Sequence, residues 1–183
     1  MSAVQPARSE PDRPISDLFH VSEEGDIDRF VPRPSDYTDH PVVWAIHKNR
    51  LCNYLLPREC PRVTFYAHES TAPTDIERFL GDDRIVVAVE QGWLDRIKAT
   101  SLFVYTMPEA PFVLKDANAG YWVSSEPVTP LARDQLSDPH EAMAARGATL
   151  RILPSLWPLH DAIAASSLKF SMIRMRSASA RLI

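Results

Sequence analysis

The sequence predicts an α+β fold with mixed or antiparallel sheets and short flanking helices, and three observations carry that prediction. Short apolar runs rich in β-branched and aromatic residues recur through the middle of the chain, the composition that packs best on a pleated surface. Helix-forming stretches fall between them at irregular intervals, without the strand–helix alternation of a doubly wound parallel sheet. Sixteen prolines stand against five glycines, and because proline fixes φ, the connections read as rigid rather than as flexible glycine lids.

Residues 1–15 are polar and proline-rich, which predicts a disordered tail, and leave 16–183 as a single globular domain. Its first strand run is Leu18-Phe19-His20-Val21-Ser22, followed by a turn near 26–30. Residues 42–46 (VVWAI) predict a strand, and 48–56 a helix broken by Pro57. Strands are expected at 63–66, 85–89, 102–106, 112–114, 121–124 and 150–153, so that with 42–46 six or seven follow the first run. Helices are expected at 74–80, 92–98, 139–146 and 157–166, the third stopped by Gly147. The tail from Ser167 to Arg176 alternates apolar and polar residues, as an amphipathic last strand or a capping segment would.

A chain of 183 residues that is 45% hydrophobic supports one sizeable core. Its 20 Lys and Arg against 24 Asp and Glu give a net charge of -4, which argues against general nucleic-acid binding. No apolar run approaches the ~20 residues that cross a bilayer, and the start of the chain is not signal-like, so a soluble cytoplasmic protein without a membrane partner is expected. Cys52 and Cys60 fit no common zinc spacing and read as buried thiols. The six histidines form no paired motif, so no metal is expected.

Four places could carry chemistry. His20 and Ser22 occupy alternate positions of an apolar run and share one face if the run is a strand, where imidazole and hydroxyl could bond a sugar hydroxyl; a histidine satisfied within the core is the structural alternative. Trp44 and Tyr54 could offer aromatic faces to a planar ring, or fill the core. The segment Pro57-Arg58-Glu59-Cys60-Pro61-Arg62 places Arg58 and Arg62 in a proline-stiffened connector suited to an anion, or to surface ion pairs, and Arg33 sits in a similar Pro-Arg-Pro setting. Tyr121-Trp122-Val123-Ser124-Ser125-Glu126-Pro127 ends a strand on hydroxyls and the carboxylate of Glu126, which could stabilise an oxocarbenium-like transition state or be a solvated turn residue. Arg174 or Arg176 of the tail could join such a cleft.

The runs LFHVSEEGDIDRFVPRP, VVWAI, PRECPRVTF, YWVSSEPV, LRILPSLWPL and SLKFSMIRMR together resemble an uncharacterised bacterial domain-of-unknown-function family, over about 85% of the chain. At a greater distance the opening resembles the ADP-ribosyltransferase fold of the histidine-tyrosine-glutamate type, through His20, Val21 and Ser22, then Trp44 and Tyr54, then Glu126. That resemblance implies NAD as cofactor, with His20 and Ser22 on the ribose, Trp44 and Tyr54 on nicotinamide, and Glu126 acting on the ribose hydroxyls. Val21 replaces the usual glycine and Trp44 the usual tyrosine.

Two functions follow from these residues. An NAD-using ADP-ribosyltransferase-like enzyme requires His20, Trp44, Tyr54 and Glu126 to converge, with Arg33, Arg58 or Arg62 near a pyrophosphate. A non-enzymatic module binding a nucleotide, another small molecule or a protein on a degenerate form of the same fold requires no convergent carboxylate. A hydrolase built on Ser124 or Ser125 lacks the glycine-rich elbow and paired histidine it would need. No feature of the sequence specifies an oligomeric state.

Overall fold

The structure, a computed structural model, describes residues 16–181, so the tail expected at 1–15 lies outside the described residues. Among the described residues ten strands alternate irregularly with short helical pieces. In chain order they are β1 (Leu18–Ser22), β2 (Val43–His47), β3 (Arg62–Tyr66), β4 (Ile85–Glu90), β5 (Leu102–Met107), β6 (Val113–Asp116), β7 (Tyr121–Ser124), β8 (Ala132–Leu136), β9 (Ala148–Leu153) and β10 (Lys169–Ile173). The α-helices are α1 (Pro73–Asp75), α2 (Leu94–Ala99), α3 (Pro139–Ala144) and α4 (Trp157–Ala164). Two open sheets result, a six-stranded one in the order β6-β7-β2-β1-β5-β8 and a four-stranded one in the order β10-β3-β4-β9. Every described register is antiparallel except β4 with β9, which is parallel. The fold is therefore α+β with two mostly antiparallel sheets and short helices.

The chain divides into two compact units, each assembled from separated stretches. The first draws on residues up to His20, on 26–48 and on 104–134; the second on 21–25, 49–103 and 135 onward. The core of the second unit gathers Val63 and Phe65 of β3, Val86 and Ala88 of β4, Phe79 and Leu80, and Leu156, Ile163 and Leu168. Alternate residues of β3 and β4 supply that cluster, yet the intervening Arg62, Thr64, Val87 and Val89 are equally buried. That explains why both strands read as nearly continuous apolar runs.

Local rules account for most boundaries. The Asp138 side chain accepts hydrogen bonds from the His140 and Glu141 amides, and Pro139 takes the first helical position, so α3 begins where its sequence predicts. It closes two residues earlier than expected, ahead of Gly147 at φ 72°. The helix expected over 48–56 is a 3-10 helix, Lys48–Tyr54, and 74–80 is one α-turn followed by a π-helix, Ile76–Leu80. No helical turn forms at 26–30; Phe30 instead bridges to Val128 through two main-chain hydrogen bonds of 2.8 Å. The tail is a true strand, pairing all of β10 with β3. In the second unit Gly25 is required by contact: a Cβ there would lie 2.5 Å from the Phe103 ring.

Candidate functional site

In the first unit the site is organised around His20 on β1. Its Nδ1 lies 2.8 Å from the main-chain oxygen of Trp44, and because a carbonyl only accepts, Nδ1 carries a proton and donates this hydrogen bond. The imidazole packs on Phe30 at 4.6 Å between centroids, and Phe30 meets Tyr105 edge-on at 5.1 Å. Tyr105 is almost fully buried, and its hydroxyl accepts from the Ile27 amide at 3.2 Å. These contacts fix the plane of the His20 ring.

Glu126 belongs to the same unit and is exposed. The Ser124 hydroxyl accepts from the Glu126 amide at 3.1 Å and donates to the Glu126 carbonyl at 3.0 Å, which locks the backbone beneath the carboxylate. Two residues later Val128 pairs with Phe30, the residue against which His20 packs. The bridge thus ties the Glu126 segment to the aromatic brace of His20. An open cavity of about 350 Å³ lies in this unit, lined by Ile27, Asp28, Tyr105, Thr129, Pro130, Ala132 and Arg133.

Trp44 is placed differently from His20. Phe19 faces Ile46 in the β1–β2 ladder, and Ile46 faces Tyr121 in the next; by strand alternation Trp44 shares their face and His20 lies on the other. The Trp44 ring meets Tyr121 edge-on at 5.5 Å, as that placement requires. Arg33 is exposed and joined to Val42 through main-chain hydrogen bonds of 3.0 Å.

The remaining sequence candidates belong to the second unit. The Ser22 hydroxyl accepts from the Glu24 amide at 3.0 Å, and Tyr54 ends the 3-10 helix half-buried. Arg62 is 2% exposed. Its Nε donates to Cys60 O at 2.9 Å, Nη1 to Asn53 O at 3.1 Å, and Nη2 to Pro57 O and Arg58 O, both at 3.2 Å. The guanidinium is engaged with the carbonyls of the loop that precedes it, and burial pushes its pKa down. Arg58 is exposed, with its amide donating to Glu23 Oε1 at 2.8 Å.

Glu59, between Arg58 and Cys60, was not singled out from sequence. It meets Arg174 Nε at 3.4 Å and Arg176 Nη2 at 3.2 Å. The Arg176 hydrogen bond, helped by the Arg174 charge, holds its carboxyl below the usual range against an opposing effect of burial. The signal for it was present, since Glu59 sits among the arginines of PRECPR. Cys60 is fully buried, and burial raises its thiol to about 11. Among the described residues no group of three or more His, Cys, Asp or Glu side chains could hold a metal ion. Among them also, no helix is long and apolar enough to cross a membrane.

No curated protein and no solved structure matches the chain. A family model covers residues 19–178, spanning all ten strands but for Leu18. The chain belongs to that family, described as a family of unknown function, DUF6886.

Proposed function

We propose that the six-stranded unit binds a nicotinamide nucleotide and acts at its ribose, in the manner of an ADP-ribosyltransferase-like enzyme. The observation that supports this best is the bracing of His20. An imidazole whose Nδ1 is committed to Trp44 O is held in a fixed orientation, and an oriented imidazole is suited to engage a ribose hydroxyl. Glu126, on a backbone locked by Ser124, supplies a carboxylate in the same unit to stabilise positive charge developing at the ribose.

Two observations favour the second reading, a binding module without transfer. Trp44 stands on the face opposite His20, and the Arg62 donors are engaged with main-chain carbonyls. Two groups that transfer would recruit thus have other partners. Isothermal titration with NAD, with nicotinamide release followed in the same samples, separates the two. Transfer predicts binding that His20→Ala abolishes and release that Glu126→Gln abolishes. Binding without release, unaffected by Glu126→Gln, establishes the module, and no binding at millimolar NAD sinks both nucleotide readings.

A further inference from the structure

We infer that the four-stranded unit carries an oxyanion site for a phosphate group, formed by Arg174 and Arg176 and filled by the chain's own Glu59 carboxylate. The site goes beyond the proposed function, because nothing in it depends on His20 or Glu126. Strand pairing creates it: β10 runs antiparallel to β3 with Ile173 opposite Arg62. The residues after Ile173 are thereby brought alongside those before Arg62, which are the Pro57–Pro61 loop. Arg174 then adopts the left-handed conformation, φ 55° and ψ 33°, the one positive-φ residue other than glycine among the described residues. An arginine at such a position carries a backbone penalty that its surroundings must offset.

Its side chain and that of Arg176 both reach Glu59, each holding a different carboxylate oxygen by a single contact. At 3.4 and 3.2 Å these contacts are longer than the roughly 2.7–2.9 Å of a well-formed charge-assisted bond. The Arg176 side chain is 70% exposed while it makes its contact. Positive charge also exceeds negative here. Arg58, Arg174 and Arg176 surround Glu59, and Arg62 lies beneath the loop, while the neighbouring Glu23 carboxylate accepts from the Arg58 amide.

The chemistry of the ligand follows from what Glu59 leaves undone. A carboxylate ligand would offer the same two oxygens and single charge as Glu59 and would gain nothing by displacing it. A phosphate offers more acceptor oxygens and up to two charges, matching guanidinium forks that the glutamate engages only singly. Glu59 is then an internal competitor that must swing aside for the ligand to enter.

Titration with inorganic phosphate and, separately, with ADP tests this on the wild type, Glu59→Gln, Arg176→Gln and His20→Ala. Arg176 is exposed enough for its substitution to leave the fold intact, which circular dichroism checks. Saturable binding by the wild type is expected, roughly threefold to fivefold tighter in Glu59→Gln, lost in Arg176→Gln and unchanged in His20→Ala. With that pattern, tighter binding of ADP assigns the phosphate to a nucleotide, and tighter binding of inorganic phosphate assigns it to the free ion. Absence of saturable binding in both the wild type and Glu59→Gln overturns the site, as does binding that Arg176→Gln leaves intact.

Discussion

The central strands of the four-stranded sheet and the outer strands of the six-stranded sheet are built to opposite specifications. β3 and β4 bury nearly every residue on both faces, whereas all four residues of β6 and the middle three of β8 are exposed. Where both faces are covered, even an arginine is enlisted as a structural part, and substitution there is read as stability. Where strands lie open, side chains keep their freedom, and substitution is read as binding or not at all. The edge strand β6 exposes Val113 and Leu114, but an irregular register between Leu114 and Asp116, with Lys115 between them, roughens that edge against further strand pairing.

The sharpest test of this contrast is Arg62→Met. It removes the donors of four carbonyl contacts from a buried position, and a loss of about 3–5 kcal/mol in urea unfolding is expected; a loss below ~1 kcal/mol would break the contrast. Gly25→Ala pushes a methyl into the Phe103 ring and should lower stability by about 2 kcal/mol, with partial recovery on adding Phe103→Leu. Glu90→Gln comes next. This buried carboxylate accepts from the Leu156 amide at 3.1 Å and from the Ser179 amide and hydroxyl at 2.8 and 2.9 Å. Its replacement should weaken the unit by about 1–2 kcal/mol and shift Trp157 emission, since the Trp157 indole donates to Ser179 O.

Cys60 gives a smaller effect with a defined sign. Its thiol is raised from 9.0 to about 11 in the folded chain, so its contribution is fully present below pH 9 and is lost as pH rises through 11. The decline should reach roughly 1 kcal/mol by pH 10, and Cys60→Ala should remove that part of the slope. Least of all, Glu126→Gln should change stability by less than ~0.5 kcal/mol, because the Ser124 contacts beneath it are to main-chain atoms.

The elements legible in the sequence were those that carry an apolar run, including β6, whose Val113 and Leu114 are exposed. β4 and β7 appear almost as expected because β-branched and aromatic residues mark them. β8, Ala-Arg-Asp-Gln-Leu, was invisible, since a strand exposed along its middle needs neither alternation nor an apolar run. The site was legible in its local parts only. His20 stood out as a polar residue in an apolar run, but its brace comes from Phe30 and Tyr105, and Tyr105 is 85 residues away, so no spacing rule reports it. Arg62 in a proline-rich connector carried the same residue signal as an anion ligand. Only its position at the start of a strand buried on both faces gives it carbonyl partners instead.

The interleaving of the two units has a consequence for how the chain comes into being. During synthesis the first unit has all its segments once Asp134 has emerged, but the second must wait for β9 and β10. Until then β4 lacks its parallel neighbour, whose pairing with Ile85 begins only at Ala148. Contacts so distant in sequence form slowly. The unit with the most deeply buried strands is thus the last able to close.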